Sequence, residues 1–390
     1  QKCFRLMGVT AEMPYFELDD EEFYCIYDVL HLLKSIRNNL MSGNYLLHEK
    51  IISWSFIEEV YILDKSSTTG RALVKLTDRH IKPNNFQKMS VRLAAQVFSQ
   101  SVAAGIKTAV NSRQLSVEAT HTAGFIDAID KLFDALNSKF PWSKKPWNRP
   151  LADNNTDVTS ALGKGLDIMS NLKKCTVERK ISTPPCFLGM IQSIRAIKML
   201  HNVCKSEELP YILTGRLNQD PLENLFSIYR QRGGYNKNPT VTTFNGFFKS
   251  HTVINLMKPP EQSNCEIDED FNLFEGDEED VFSSSPSKRL KSGNSDEEST
   301  SLSEESSIHS SPSQSEATLE DCSVVYFGGY LVKKLLDKFT CEFCKKNFLG
   351  TRDLKESSQL LILYKNYDTE KQLTLKVPQK SITKLVKYSM

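Results

Sequence analysis

The sequence lacks the long apolar runs and the cysteine framework that mark membrane-spanning and secreted proteins. No apolar run approaches the roughly 18 residues that a membrane-spanning helix needs, and no charged, apolar and small-residue signal sequence opens the chain. We therefore expect no membrane partner. The nine cysteines are scattered without regular spacing, which favours a reducing compartment. Hydrophobic residues still make up 39% of the 390 residues, enough for a packed core.

Several catalytic and nucleotide-binding signatures are also missing. There is no GxxxxGK[ST] phosphate loop, no HExxH zinc motif and no GxSxG nucleophile elbow. Cys341 and Cys344 form a single CxxC pair. Because a structural zinc site takes four ligands, usually from two such pairs, we interpret them as two ordinary thiols.

Acidic charge is concentrated in one stretch of the chain. Residues 262–321 hold 17 Asp or Glu against three basic residues, a net charge of −14, so the other 330 residues carry +15. Few large apolar side chains occur there, which predicts a disordered linker at 261–322. The basic remainder suits a negatively charged partner, although scattered surface lysines can also serve solubility alone. KRLK at 288–291 is a weak nuclear import signal.

The hydrophobic pattern predicts an α/β chain with a long helical block. Residues 15–28 favour two strands around an acidic turn, with 23–27 covered on both faces. Residues 323–390 favour a strand, a glycine bend, a helix and two short strands, QLLILY and LTLKV. Helical spacing is found at 29–40, 51–63, 88–110, 125–138, 157–171, 186–204 and 221–232.

Two acidic residues occupy positions that suit a metal site. Asp28 follows the predicted buried strand, where ligands gather in open α/β sheets. Glu223 lies in the first turn of a helix that begins at Pro221 behind Asp220 as its N-cap. Clustered carboxylates can hold two divalent ions for phosphoryl transfer, and these two residues meet if the helical block between them is an insertion. From spacing alone the alternatives are favoured: a turn residue for Asp28 and a capping box for Glu223.

Basic and aromatic residues interleave most densely at 228–249. Arg230, Arg232 and Lys237 can contact a phosphate backbone, and Gly233-Gly234 lets the main chain approach closely. The alternative is a helix C-terminus with cations in its last turn and a glycine stop, and both can hold at once.

Several stretches, in the expected order, resemble the P element family of DNA transposases, whose vertebrate relatives are the THAP-domain-containing transposases. The most specific is TGRLNQDPLENLFSIYRQRGGYNKNPT at 214–240. The others are YCIYDVLHLLKSIRNNL (24–40), KLTDRHIKPNNFQKMSVRLAAQVFSQSVAAGI (75–106), FIDAIDKLFDALNSKF (125–140), and YFGGYLVKKLL followed by CEFC (326–344).

The resemblance implies an RNase H-like mixed sheet with helices, interrupted by a large all-α insertion domain. The implied division is 1–45 for the first part of the RNase H-like domain, 46–208 for a GTP-binding-type insertion, 209–260 for the part with the catalytic Glu helix, 261–322 for the acidic linker and 323–390 for a C-terminal α/β segment.

The resemblance also implies DNA cleavage and strand transfer by a D-D-E carboxylate triad with Mg²⁺, in the nucleus. Asp28 matches the second triad residue and Glu223 the third, so both would be catalytic and would hold metal. Asp134, Asn137 and Asp220 match positions associated with the guanine nucleotide. DNA at transposon ends, GTP and further copies of the chain would be the partners.

Two departures from the family bear on activity. The first triad Asp is expected upstream of 24–28, but residues 1–14 contain no Asp, and the DNA-recognising THAP domain is also missing. Losing one carboxylate from a two-metal site should remove most activity. Because the chain starts with Gln, we expect a fragment or a domesticated copy. The alternatives are a catalytically inactive, transposase-derived DNA- or protein-binding nuclear protein and a stand-alone nucleotide-binding helical domain.

Overall fold

The computed structural model describes residues 2–176, 180–232, 238, 240–253, 317–339, 341–353, 356–366 and 375–389. The predicted acidic linker therefore lies almost wholly outside the described residues. No helix within these ranges combines the length and the apolar character that crossing a bilayer requires.

The described residues form sixteen α-helices and six short strands. The helices are α1 (Lys2–Leu6), α2 (Val29–Met41), α3 (Ser55–Lys65), α4 (Asp78–Ile81), α5 (Asn85–Lys88), α6 (Val91–Val97), α7 (Gln100–Asn111), α8 (Ala119–Leu136), α9 (Thr156–Asn171), α10 (Pro185–Ser206), α11 (Asp220–Arg232), α12 (Val241–Val253), α13 (Leu319–Lys338), α14 (Glu342–Phe348), α15 (Leu360–Lys365) and α16 (Lys380–Ser389). The strands are β1 (Tyr15–Leu18), β2 (Glu21–Tyr24), β3 (Asn44–Leu47), β4 (Lys50–Ile52), β5 (Lys173–Cys175) and β6 (Ile181–Ser182).

The first sheet is a two-stranded hairpin. β1 and β2 pair antiparallel with Tyr15 opposite Tyr24, and the turn residues Asp19 and Asp20 both have positive φ, as the predicted acidic turn implies. The prediction of a strand at 23–27 buried on both faces is wrong, because β2 ends at Tyr24 and Phe23 is 41% exposed. A hairpin of two strands leaves one face open to solvent.

The second sheet lies inside the predicted insertion and has the order β4-β3-β5-β6, antiparallel throughout. It brings residues 44–52 against residues 173–182. This sheet is a difference from the all-α insertion expected from the sequence. Strands of two to four residues are too short to show a clear alternation of apolar and polar side chains.

The main core lies among α2, α7, α8, α9 and α10. Tyr45 of β3 is fully buried at its centre, where its ring meets Phe187 edge-on at 5.1 Å between centroids. Its hydroxyl donates to the carbonyl oxygen of Ile36 at 2.6 Å. Gly165 lets α9 approach α8, because a Cβ there would lie 2.5 Å from a methyl carbon of Leu132. The core thus fixes α8 against its neighbours, and with it two of the residues predicted for the nucleotide, Asp134 in the helix and Asn137 at its C-cap.

The C-terminal part is more helical than predicted. α13 runs straight through Gly328-Gly329, where a strand and a bend were expected. The glycine serves close packing there, because a Cβ at Gly329 would lie 2.0 Å from the carbonyl oxygen of Lys376. QLLILY, expected as a strand, forms a short 3-10 turn and α15. Part of the predicted strand LTLKV at 373–377 lies outside the described residues.

Candidate functional site

Two acidic residues from distant parts of the sequence face the same imidazole ring. Asp28 is the N-cap of α2, and its Oδ2 accepts a hydrogen bond from the backbone N–H of His31 at 3.1 Å and contacts Nδ1 of the His31 ring. Nε2 of that ring lies 3.6 Å from Oε1 of Glu223 on α11. The fold therefore brings Asp28 and Glu223 to one place, with the His31 side chain between them.

The start of α11 adds a second link to Asp28. The helix begins at Asp220, one residue earlier than predicted, and the backbone N–H of Glu223 donates to the carbonyl oxygen of Gln219 at 2.9 Å. The backbone N–H of Gln219 points at Oδ1 of Asp28 at 3.5 Å, a weak contact. Asp28 and Glu223 thus both lie at helix N-termini, where the helix dipole favours negative charge. Asp28 was weighed as a turn residue at the end of a buried strand, but the structure shows it as the N-cap of α2, and the strand predicted before it ends at Tyr24.

The acid pair suits Mg²⁺ in its chemistry, because this ion prefers carboxylate oxygens. Asp28 is buried and Glu223 is about half exposed, so one carboxylate is fixed and the other faces solvent. Among the residues described by the structure, no group of three or more His, Cys, Asp or Glu side chains is arranged to hold a metal ion. The two acids supply two of the ligands that a divalent ion would need.

A cavity of about 1290 Å³ lies close to this pair. It is bounded by α7, α8, residues 71–76 and α13, and its lining includes all three residues predicted for a nucleotide: Asp134, Asn137 and Asp220. Its volume exceeds the roughly 300–1,000 Å³ of ordinary ligand pockets. The fold therefore joins the predicted nucleotide residues of α8 and α11 in one space.

The polar groups of the cavity are held by α8 and the loop after it. Oδ2 of Asp134 accepts hydrogen bonds from Nζ of Lys145 at 2.7 Å and from Nε1 of Trp147 at 3.2 Å. Oδ1 of Asn137 accepts from the side-chain amide of Asn218 at 2.8 Å. These contacts connect the end of α8 to the segment that leads into α11, and so to the acid pair.

Asp130 is a cavity residue that the sequence analysis did not select. Its side chain is nine-tenths buried, and its Oδ2 has no hydrogen-bond partner within the described residues. Burial raises the pKa of Asp130 to about 7, and the negative charge of Asp134 adds to the rise. The sequence feature that could have identified Asp130 is its spacing of four residues from Asp134, which puts both carboxyl groups on one face of α8.

Two parts of the chain, one around α8 and one around α11, match known protein families. Residues 30–150 match the family described as TNP-like, GTP-binding insertion domain, and residues 216–249 match the family described as TNP-like, RNase H C-terminal domain. The Transposable element P transposase of Drosophila melanogaster is 26% identical over 297 residues, 71% of this chain and 38% of that protein. The Drosophila P element transposase strand transfer complex has a similar structure, with a TM-score of 0.57 and 26% identity, over 65% of this chain and 57% of that chain.

The chain is related to the P element-type transposases. It spans 38% of the length of the curated relative and 57% of the solved chain. The predicted resemblance is confirmed, as is an RNase H-like part at 216–249.

The two matched parts of the chain contain most of the site, and Asp28 lies two residues before the first of them. The match at 30–150 supplies His31, Asp134 and Asn137, and the match at 216–249 supplies Asp220 and Glu223. The site thus lies where the two matched parts meet.

Of the three residues predicted to contact nucleic acid, the structure describes the side chain of one. Arg230 is exposed on α11, whose Tyr229 packs edge-on against Phe244 of α12 at 5.4 Å between centroids. The side chain of Arg232 and the whole of Lys237 lie outside the described residues. Their contact with a phosphate backbone stays a prediction.

Replacing Asp130 by Asn should stabilise the protein, and more at pH 8 than at pH 5. The folded pKa of Asp130 is about 7 against an ordinary 3.8, so the folded state holds its proton more tightly than the unfolded chain. Stability is therefore lost as the pH rises from about 4 to about 7. We expect Asn to add about 2–4 kcal/mol at pH 8 and little below pH 4.

Urea unfolding at pH 4, 5 and 8 measures this effect. Asp127→Asn is the matched control on the same helix face, because Asp127 is paired with Lys131 at 2.9 Å and is less buried. It should show no such gain. A gain for Asp130→Asn that is equal at pH 5 and pH 8 would contradict the assignment.

Proposed function

We propose that the chain is the catalytic and nucleotide-binding part of a P element-like DNA transposase, which cuts and joins DNA strands by Mg²⁺-assisted phosphoryl transfer. The observation that carries this proposal is that Asp28 and Glu223 lie on either side of one imidazole ring. The family match at 216–249, which contains Glu223, and the match at 30–150, which begins two residues after Asp28, support it.

Three side chains, Asp28, Glu223 and His31, have roles in the proposed chemistry. Mg²⁺, when bound by Asp28 and Glu223, would activate the attacking oxygen and stabilise the leaving oxygen. Asp28 is immobilised by the His31 backbone N–H, so its carboxylate is oriented before any substrate arrives. Glu223 is about half exposed beside His31, where a DNA strand can reach it. His31 links the two carboxylates and helps to fix their separation.

GTP is the nucleotide that we propose for the cavity. A carboxylate can accept two hydrogen bonds from the N1–H and N2–H edge of guanine, and the cavity presents carboxyl groups at Asp130, Asp134 and Asp220. The family description of residues 30–150 supports a GTP-binding insertion. An adenine base offers an acceptor at N1, so the same carboxylate would discriminate against ATP.

Calorimetric titration of the chain with GTP and ATP tests this proposal. We expect GTP to bind at least about 100-fold more tightly, the usual result when a site built for a hydrogen-bonding group meets an analogue that lacks it. Asp220→Asn should remove most of that preference, because Asp220 is buried in the cavity wall. Asp157→Asn, an exposed carboxylate of α9, is the control. Equal affinity for the two nucleotides would contradict guanine recognition.

The remaining parts of the proposal concern partners and location. The net +15 outside residues 262–321 suits DNA, with Arg230, Arg232 and Lys237 as candidate phosphate contacts. We propose a nuclear location, self-association on transposon ends, and the division of the chain into RNase H-like, insertion, linker and C-terminal parts given by the resemblance.

A further inference from the structure

Part of the cavity wall comes from the far end of the chain. We call residues 317–366, as far as they are described, the C-terminal segment. Oε1 of Glu320 accepts hydrogen bonds from the backbone N–H groups of Thr68 at 3.0 Å and Thr69 at 2.6 Å. The hydroxyl of Ser323 donates to the carbonyl oxygen of Gly70 at 2.6 Å. The first turn of α13 thus holds the loop that leads into the cavity wall at 71–76.

A second set of contacts fixes the same segment to α7. The hydroxyl of Ser112 donates to the carbonyl oxygen of Ala317 at 2.6 Å, and the backbone N–H of Leu319 donates to Oε1 of Gln114 at 2.7 Å. The side-chain amide of Asn111 contacts the hydroxyl of Tyr364. Since these contacts hold the C-terminal segment against both α7 and the loop at 68–70, the segment is a fixed part of the cavity wall.

Lys365 is the cation that this wall contributes to the cavity lining. Its Nζ donates to the carbonyl oxygen of Ala72 at 3.1 Å and lies 4.3 Å from the ring centre of Tyr326. No carboxylate of the described residues lies within 4 Å of it. Asp64, which attracts it from farther away, is engaged by Arg71 at 2.8 Å. An ammonium group has three N–H donors, so Lys365 can donate to a ligand in the cavity as well as to Ala72.

The surroundings of Lys365 favour an anionic ligand. Burial lowers the pKa of Lys365 to about 8, and the nearby charge of Lys75, which also lines the cavity, opposes its ionisation further. A negative group placed between the two lysines would offset both the burial of the Lys365 charge and its repulsion by Lys75. The carboxyl groups that line the cavity lie on α8 and α11. The acids that suit a guanine base and the lysine that suits phosphate groups therefore lie on different elements.

We propose that Lys365 binds the phosphate groups of the nucleotide in this cavity, so that the C-terminal segment completes the binding site. The proposal rests on the proposed GTP function for the identity of the ligand. It rests on the contacts of Lys365 itself for the presence of an anion site.

Lys365→Met tests the proposal, because methionine keeps the apolar stem that packs on Tyr326 and removes the charge. The full chain is titrated with GTP, guanosine and inorganic tripolyphosphate. GTP and tripolyphosphate should each bind about tenfold more weakly, the loss of one charge-assisted contact, while guanosine should be unaffected. Lys365→Arg should restore most of the tripolyphosphate affinity. Lys346→Met, an exposed lysine of α14, is the matched control and should change nothing.

The outcomes separate this inference from the proposed function. Unchanged GTP and tripolyphosphate affinity in Lys365→Met would overturn the inference and leave guanine recognition standing. An equal loss for guanosine would also overturn it, because the role of Lys365 would then be structural. Tripolyphosphate binding that depends on Lys365, with no preference for GTP over ATP, would support the inference and overturn the guanine proposal. If the wild-type chain binds none of the three ligands, both the inference about Lys365 and the proposed GTP binding are wrong.

Discussion

Replacing Glu223 by Gln should abolish Mg²⁺-dependent DNA strand transfer while the protein stays folded. The substitution keeps the size of the side chain and removes the negative charge that faces His31 and, in the proposed function, the metal ion. We expect a loss of about 10²–10³-fold or more, the effect of removing one group that stabilises charge in a transition state. Joining of a pre-cut DNA end with a free 3′-hydroxyl into a plasmid measures the reaction.

The control and a second readout make this result decisive. Glu207→Gln changes an exposed acid at the end of α10 and should leave strand transfer unchanged. Mn²⁺ binding, followed by calorimetry, should weaken in Glu223→Gln and not in Glu207→Gln. Equal strand transfer by both variants would refute the catalytic assignment. Salt-sensitive DNA binding without any strand transfer by the wild-type chain would instead favour the inactive, DNA-binding alternative.

Replacing Asp64 by Ala should have the largest effect on stability and should also remove nucleotide binding. The Asp64 side chain on α3 is 1% exposed and pairs with Arg71 at 2.8 Å. Its Oδ1 accepts hydrogen bonds from the backbone N–H groups of Ala72 at 2.6 Å and Leu73 at 3.0 Å. Its loss would leave Arg71 and two N–H groups without their partner, at a cost of about 3–5 kcal/mol. The same contacts shape the cavity wall at 71–76, so GTP affinity should fall with stability.

An exposed ion pair between the end of α3 and the start of α4 provides the comparison. Asp78 accepts from Lys65 at 3.1 Å, but its side chain is 75% exposed, so solvent screens this pair. Asp78→Ala should shift the denaturant midpoint far less than Asp64→Ala in parallel urea titrations. Similar shifts for the two variants would show that the buried carboxylate does not organise the wall.

Much of the helical architecture follows from the sequence. The predicted helices at 29–40, 157–171 and 186–204 are found within one or two residues of those bounds, because apolar residues recur there with a 3.6-residue period. The helix around Glu223 is found as well, because Asp220 and Pro221 mark its start. The acidic turn of the hairpin was also readable, since Asp tolerates the positive φ that such a turn needs.

The parts that could not be predicted depend on tertiary contacts. Gly328-Gly329 indicates a break by helix propensity, yet α13 continues through it, and Gly329 is needed instead because the chain at Lys376 passes too close for a side chain. Spacing alone favoured a turn residue for Asp28 and a capping box for Glu223, and only the fold shows that Asp28 caps α2 and that both acids face His31. Nothing local distinguishes Asp130 or Lys365, because their burial comes from segments far away in the sequence.

The position of Lys365 late in the sequence has a consequence for how the binding site arises during synthesis. Because a chain leaves the ribosome from its N-terminus and folds in that order, α3, α7 and α8 emerge long before α13 and α15. Until the last of these helices has been translated, the loop at 67–73 lacks Glu320 and Ser323, and the cavity is open on that side. A nascent chain would therefore have the carboxyl groups of α8 and α11 first, and it would gain Lys365 only once α15 has been translated.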